Sequence, residues 1–252
     1  MSNDPIHQFH INPISSPINI GGVDATFTNA SLFMVAGVAV ASTFMIAAMR
    51  PAAMVPGRSQ NVAEIAYGFI RNMVKDAGGE EAVKRFFPFV FTLFIFIFMA
   101  NMLGMFPYWF APTSQIVITA TMALMVFFTV LIIGFAKNGL KFLKLFVPSG
   151  IPVFILPLVV FIEVFSFFLR PVSHSIRLFA NMLAGHIALK VFAGFIPLLA
   201  AGLGVIGWIG GTLPLGMVIA LTALELLVAF LQAYVFTILT CIYLNDAIHP
   251  GH

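Results

Sequence analysis

Residues 148–196 form forty-nine positions of almost unbroken apolar sequence, more than twice the roughly 20 residues a helix needs to cross a bilayer. A helix of a soluble protein buries one stripe and shows water the other. A run that is apolar all round has no water-facing side. Four further runs share this character, at 27–49, 86–106, 116–136 and 205–244. Of the 252 residues, 61% are hydrophobic and only 8% charged, more apolar surface than a soluble fold of this length can hide. A soluble enzyme, a disordered chain and a disulfide scaffold are excluded. The chain reads as an all-α polytopic membrane protein.

The formal net charge of +3 comes from twelve basic and nine acidic residues. The basic ones are too dispersed for a phosphate-binding face, so no nucleic-acid partner is expected. The single cysteine, Cys241, lies in an apolar run and reads as a small core residue. There is no Walker-type glycine loop and no HExxH pair, so no cofactor or metal is expected. His7 with His10 and His249 with His252 have metal-like spacings, but read better as terminal residues. The first ten residues, MSNDPIHQFH, contain an acid and no Lys or Arg, unlike a signal peptide or an Arg-rich transit peptide.

Between the first two runs, residues 58–85 alternate Arg58, Arg71, Lys75, Lys84 and Arg85 with Glu64, Asp76, Glu80 and Glu81. Val62, Ile65, Phe69, Met73 and Val74 keep helical spacing within them. This predicts an amphipathic helix on the membrane surface. Residues 1–26 and 107–115 carry no Lys or Arg, whereas 50–85 carries six and 137–144 three. Basic segments stay in the cytoplasm, which puts the N-terminus outside. The stretch 148–196 reads either as two spans joined by an exterior loop, RPVSHSIR, or as one long inclined helix. Only the second keeps two arginines off the exterior. Five crossings result, with the C-terminus cytoplasmic. At about 1.5 Å per residue, 49 residues rise roughly 73 Å against a hydrocarbon core of about 30 Å. This helix and the one at 205–244 are therefore expected to form a long, steeply tilted hairpin, turned in the Gly-rich segment around 197–211, with Pro152, Pro157 and Pro171 as candidate kinks. The exterior segment 1–26 and a single membrane domain, 27–252, complete the organisation.

Charges inside a membrane are costly and mark function. Arg177 falls near the middle of the long run. Glu163, Arg170 and Arg177 are seven apart, so they share a helix face with about 20° of drift per step. Ser166 and Ser173 flank that line, while His174 and Asn181 are helical neighbours of Arg177. A guanidinium keeps its proton, so it acts as a fixed barrier and a carboxylate partner. Glu163, His174, His186 and Glu225 are titratable and can relay protons; Glu225 and Gln232 share a face of the last helix. This pattern is a poor continuous wire and a good pair of half-paths. It does not match a voltage sensor, which repeats Arg along one helix, or a haem site, which pairs His on facing helices. An ion-translocating subunit of another energy-converting complex, respiratory or transporter, remains the alternative.

Segment 176–186, IRLFANMLAGH, with the preceding RPVSHS, closely resembles the signature of the a subunit of F-type ATP synthases. NMLGMFP at 101–107 and ELLVAFLQAYVFTILTCIYL at 225–244 are similar to that family too. The resemblance implies a non-catalytic stator beside a ring of c subunits in the ATP synthase complex, with b-type peripheral-stalk subunits as further partners. It implies that Arg177 faces the ring carboxylates and separates two offset proton half-channels. Asn181, His186, Glu225 and Gln232 would line the outer one, and Glu163, Ser173 and His174 would lie towards the inner one. Some bacterial members carry Glu where His186 stands and His where Glu225 stands; the arrangement here resembles mitochondrial and alphaproteobacterial members. The bacterial inner membrane is the expected location.

Overall fold

In lipid no water satisfies backbone N–H and C=O groups, so a spanning segment must bond to itself as a helix. The computed structural model follows that rule. It describes residues 10–14, 16, 19–20, 23–24, 26–50, 53–106, 109–147, 152 and 154–248. Five long helices form: α1 (Asn29–Ala48), α2 (Arg58–Gly104), α3 (Ile116–Asn138), α4 (Leu156–Gly210) and α5 (Thr212–Ile248). All five contain stretches long and apolar enough to cross a membrane. A two-residue antiparallel pair, β1 (Asn19–Ile20) with β2 (Val23–Asp24), precedes them. Threonines within the helices return their hydroxyls to the carbonyl four residues back, as Thr92 to Pro88, Thr121 to Val117 and Thr240 to Phe236. These hydroxyl donors are thereby satisfied within their own helices.

The chain divides into two compact units. The first comprises Met1–Ser42, Phe96–Gln115 and Leu178–Gln232. Here Thr28 accepts from the Ser31 N–H as an N-cap of α1. Phe33 packs against Trp109, with ring centroids 4.9 Å apart. Asn101, fully buried on α2, donates to the Ala229 carbonyl of α5 at 3.2 Å. The second unit comprises Thr43–Ile95, Ile116–Arg177 and Ala233–His252. Its centre is aromatic. Phe142, from the 3-10 segment Gly139–Phe146, is fully buried against Phe135, Phe146 and Phe167. The Phe142 ring lies where a Cβ on Gly134 would be, 2.5 Å away. Asn138 donates to the Ala247 and Ile248 carbonyls at 2.7 and 3.2 Å, closing the C-terminal end of α5.

Several boundaries differ from the sequence reading, the largest shift being that of α4, expected over 148–196 and observed over Leu156–Gly210. The surface helix and the second span were expected to meet at 85/86, where charge gives way to phenylalanine. The backbone breaks earlier, at Gly79 (φ 73°, ψ −175°), because composition marks membrane depth whereas a positive φ needs glycine. Residues 80–85 therefore continue into the membrane helix, which ends at Gly104 rather than 106. Helix α5 starts at Thr212, not 205. The reversal between the last two helices nonetheless lies in the Gly-rich segment. A Cβ on Gly207 would sit 1.9 Å from the Leu199 carbonyl oxygen, whereas eight residues of straight helix span about 12 Å. The chain doubles back between them.

Candidate functional site

The polar line along α4 splits in two. Ser166, Ser173, Arg177 and Asn181 are exposed, while His174, Ser175 and His186 are buried. A step of three residues turns a helix by 300°, so His174 can face inward while Arg177, its neighbour in sequence, faces out. Ser173 and Asn181 make no side-chain hydrogen bond among the described residues. Glu163 is half-buried and also unpaired among them. The buried serine is the adjacent Ser175, whose hydroxyl meets Thr119 of α3 at 3.2 Å.

Arg170 and Arg177 have opposite surroundings. The Arg170 guanidinium lies 3.6 Å from Asp246 and stacks 4.5 Å from the Tyr243 ring centroid and 5.3 Å from that of Phe167. Arg177 has no ion pair or hydrogen bond among the described residues. Its exposed neighbours one turn away on α4 are Ser173, Ala180 and Asn181, with exposed Leu169 and Ile176 on the adjoining faces of the same helix. An unpaired guanidinium on such a surface costs about 2.5–3.5 kcal/mol even on the mildest membrane scale, and a carboxylate from outside the chain would relieve that cost.

In the second unit, His174 sits edge-on between the Phe236 and Tyr243 rings, at 4.8 and 5.4 Å. Its Nε2 and the Arg170 Nη1 are buried without hydrogen-bond partners. Both residues line a cavity of about 20 Å³ with Phe127, Phe167, Pro171 and Tyr243, enough for about one water molecule.

In the first unit, His186 and Glu225, both assigned to the outer path by the resemblance, come together. His186 Nδ1 and Glu225 Oε1 are in direct hydrogen-bonding contact, and both residues are buried. The other ring nitrogen, Nε2, lies 3.0 Å from the Gly104 carbonyl oxygen. A carbonyl only accepts, so Nε2 carries a hydrogen. A hydrogen bond between Nδ1 and Oε1 then has its hydrogen shared between the imidazole and the carboxyl group. Glu225 Oε2 is buried without a hydrogen-bond partner, as is Asn101 Oδ1, one helical turn of α2 before Gly104. A Cβ on Gly185 would lie 3.0 Å from Glu225 Oε1, so this glycine makes room for the carboxylate. Gln232 is half-buried and makes no side-chain hydrogen bond among the described residues.

Sequence reasoning missed Asn101 as a site residue, although a polar side chain inside an apolar run is the signal that singled out the others. It missed Asp246 because that acid falls just past the last apolar run. It could not find the Gly104 carbonyl, a backbone acceptor with no signature. Among the described residues no three metal-ligating side chains come together; His7, His249 and His252 lie outside the described residues.

A family model described as "ATP synthase A chain" matches residues 31–245. A protein of Rhodopseudomonas palustris (strain HaA2) named "ATP synthase subunit a" is 64% identical over 252 residues, all of both chains. A protein of the same name from strain BisB18 is 66% identical over 249 residues, 99% of each chain. One from Bradyrhizobium diazoefficiens is 60% identical over 252 residues, again all of both.

Proposed function

The chain belongs to the ATP synthase A chain family, and we propose on that premise that it is the proton-translocating stator subunit, with two half-channels separated by Arg177. Family membership favours an ATP synthase over another energy-converting complex. The observation that carries the proposal is the state of Arg177, an exposed and unpaired cation on an apolar helix. Only 11% of the most apolar stretch of α4 is buried within the chain, so this helix needs lipid or a partner over it. A ring of c subunits that brings carboxylates past the helix supplies both the apolar cover and the anion.

The outer half-channel runs through Asn181, His186, Glu225 and Gln232. A proton that arrives at Glu225 Oε2 passes to His186 as the carboxyl releases and the imidazole accepts, and the resulting imidazolium and carboxylate stay in direct contact as an ion pair. The inner half-channel runs through Glu163, Ser173 and His174. Its support is the cavity shared by His174 and Arg170, where one water would bridge two buried nitrogen donors or acceptors. Arg177 draws each arriving ring carboxylate into its ionised form and repels protons, which blocks direct leakage. Each elementary charge crossing 100 mV yields about 2.3 kcal/mol, so several must pass per ATP made. The b-type stalk subunits hold the chain still while the ring turns. The 47 residues of Leu156–Gly202 rise about 70 Å if helical throughout, which supports a steep tilt along the ring's curved wall.

The test is ATP-driven proton pumping in inverted bacterial membranes. Arg177→Ala abolishes pumping and synthesis while the complex still assembles. Arg177→Lys also fails, because an ammonium lacks the planar fork that grips a carboxylate on two sides. Near-normal proton-coupled synthesis in Arg177→Ala membranes would falsify the proposal.

A further inference from the structure

Arg85 directly precedes the apolar run that starts at Phe86, and Lys137 directly follows the run that ends at Ala136. The two residues line one end of an open groove of about 690 Å³ between α2 and α3; Phe86, Phe89, Thr129 and Ile133 line the remainder. The groove therefore has a cationic mouth at the level where apolar sequence gives way to charge, and an apolar body beneath it. Thr129 adds no polarity, because its hydroxyl is already spent on the Met125 carbonyl at 2.7 Å. Lys137 is held from one side by Glu81 at 3.3 Å. Arg85, one turn of α2 beyond Glu81, has no acidic partner among the described residues. The mouth thus keeps positive charge uncancelled.

We propose that this groove binds one anionic phospholipid of the cytoplasmic leaflet, its phosphodiester at Arg85 and Lys137 and an acyl chain against Phe89 and Ile133. Charge complementarity selects the occupant. A basic site at the membrane interface favours a headgroup with net negative charge over a zwitterionic one, and an apolar body without a free hydrogen-bonding group suits a hydrocarbon tail. A transmembrane helix from another subunit would have to place an acid at the same level to match the mouth.

The experiment reconstitutes the purified ATP synthase complex into phosphatidylcholine vesicles. These contain a trace of phosphatidylglycerol or of phosphatidylcholine carrying the same photoactivatable group in the acyl chain. Mass spectrometry then measures labelling of the peptides that contain Phe89 and Ile133. The phosphatidylglycerol probe labels them in preference to the phosphatidylcholine probe by roughly fivefold per basic residue engaged. Arg85→Gln reduces that preference, and Arg85→Lys, which keeps the charge, retains it. Equal labelling by both probes in the unaltered complex overturns the proposal, because the groove then holds ordinary bilayer lipid. Crosslinks from these peptides to another subunit in place of lipid also overturn it.

Discussion

Two arginines seven residues apart on α4 carry the same charge and have different fates. Arg170 is held between Tyr243 and Asp246, and Arg177 is held by nothing among the described residues. A cation with an acid beside it serves structure, and one with none is available to a passing anion. Arg170→Gln is therefore expected to slow ATP-driven proton pumping in membrane vesicles severalfold without abolishing it, and Asp246→Asn should do about the same. If Arg170→Gln is as null as Arg177→Ala, the division of roles is wrong. The His186–Glu225 pair allows a sharper test, because two proton-exchanging groups in direct contact are expected to act as one unit. His186→Ala and Glu225→Gln should each lower proton flux by at least about tenfold, the order expected for loss of a proton-transferring group. The double variant should be scarcely worse than the more damaging single one. Losses that add strictly in the logarithm of flux would mean that the groups act independently.

At the scale of elements, tight packing in a membrane depends on small residues that let neighbours close in. Gly134 is such a position on α3, with the Phe142 ring occupying the space of its missing side chain. Gly134→Val should destabilise the second unit by about 1–3 kcal/mol, the usual cost of overpacking. The check is earlier loss of the subunit from detergent-solubilised complex on heating; an unchanged profile would show that Phe142 swings away freely. Gly79→Ala, at φ 73°, should cost about 1 kcal/mol by forcing a left-handed conformation on a residue with a Cβ. Hydropathy made the five apolar helices legible, since run length and bounding charges follow from bilayer thickness. It did not reveal Gly79, because Gly78 and Gly79 lie within a charged helix whose periodicity continues past them. The heptad spacing found the line through Glu163, Arg170 and Arg177, but not which way it faces. A helix that is apolar on all sides carries no periodic signal to say which side is buried. For that reason His174 and Ser173, adjacent in sequence and read alike, separate into a buried and an exposed position. The Arg170–Asp246 contact was illegible for another reason: seventy-six positions separate the partners, and only the packing of α4 and α5 within the second unit brings them together.

For the whole molecule, we propose that the five helices able to cross a membrane place the two termini on opposite sides, with the N-terminus outside as the distribution of Lys and Arg favours. Nine of the twelve basic residues lie in 50–85 and 137–144, and none lies in 1–26 or 107–115. Reversing the chain would carry all nine across the membrane, against the bias that sets topology. Single introduced cysteines can test this in a Cys241→Ser background, since the native thiol is buried. Position matters for the reporter. Ser114 lies in the basic-free connection between α2 and α3, but it is buried and donates to the Ala111 carbonyl at 2.6 Å. Phe106, at the same connection, is 60% exposed, and Leu140, in the basic segment after α3, is 82% exposed. Asn12 is exposed as well. Asn12→Cys and Phe106→Cys should react with an impermeant thiol reagent added to the outside of right-side-out vesicles, and Leu140→Cys only after the membrane is opened. Labelling of Leu140→Cys from outside, or of Phe106→Cys only from inside, would invert the topology. The outer half-channel assigned to His186 and Glu225 would then open to the cytoplasm, and the direction of proton entry through the subunit would reverse with it.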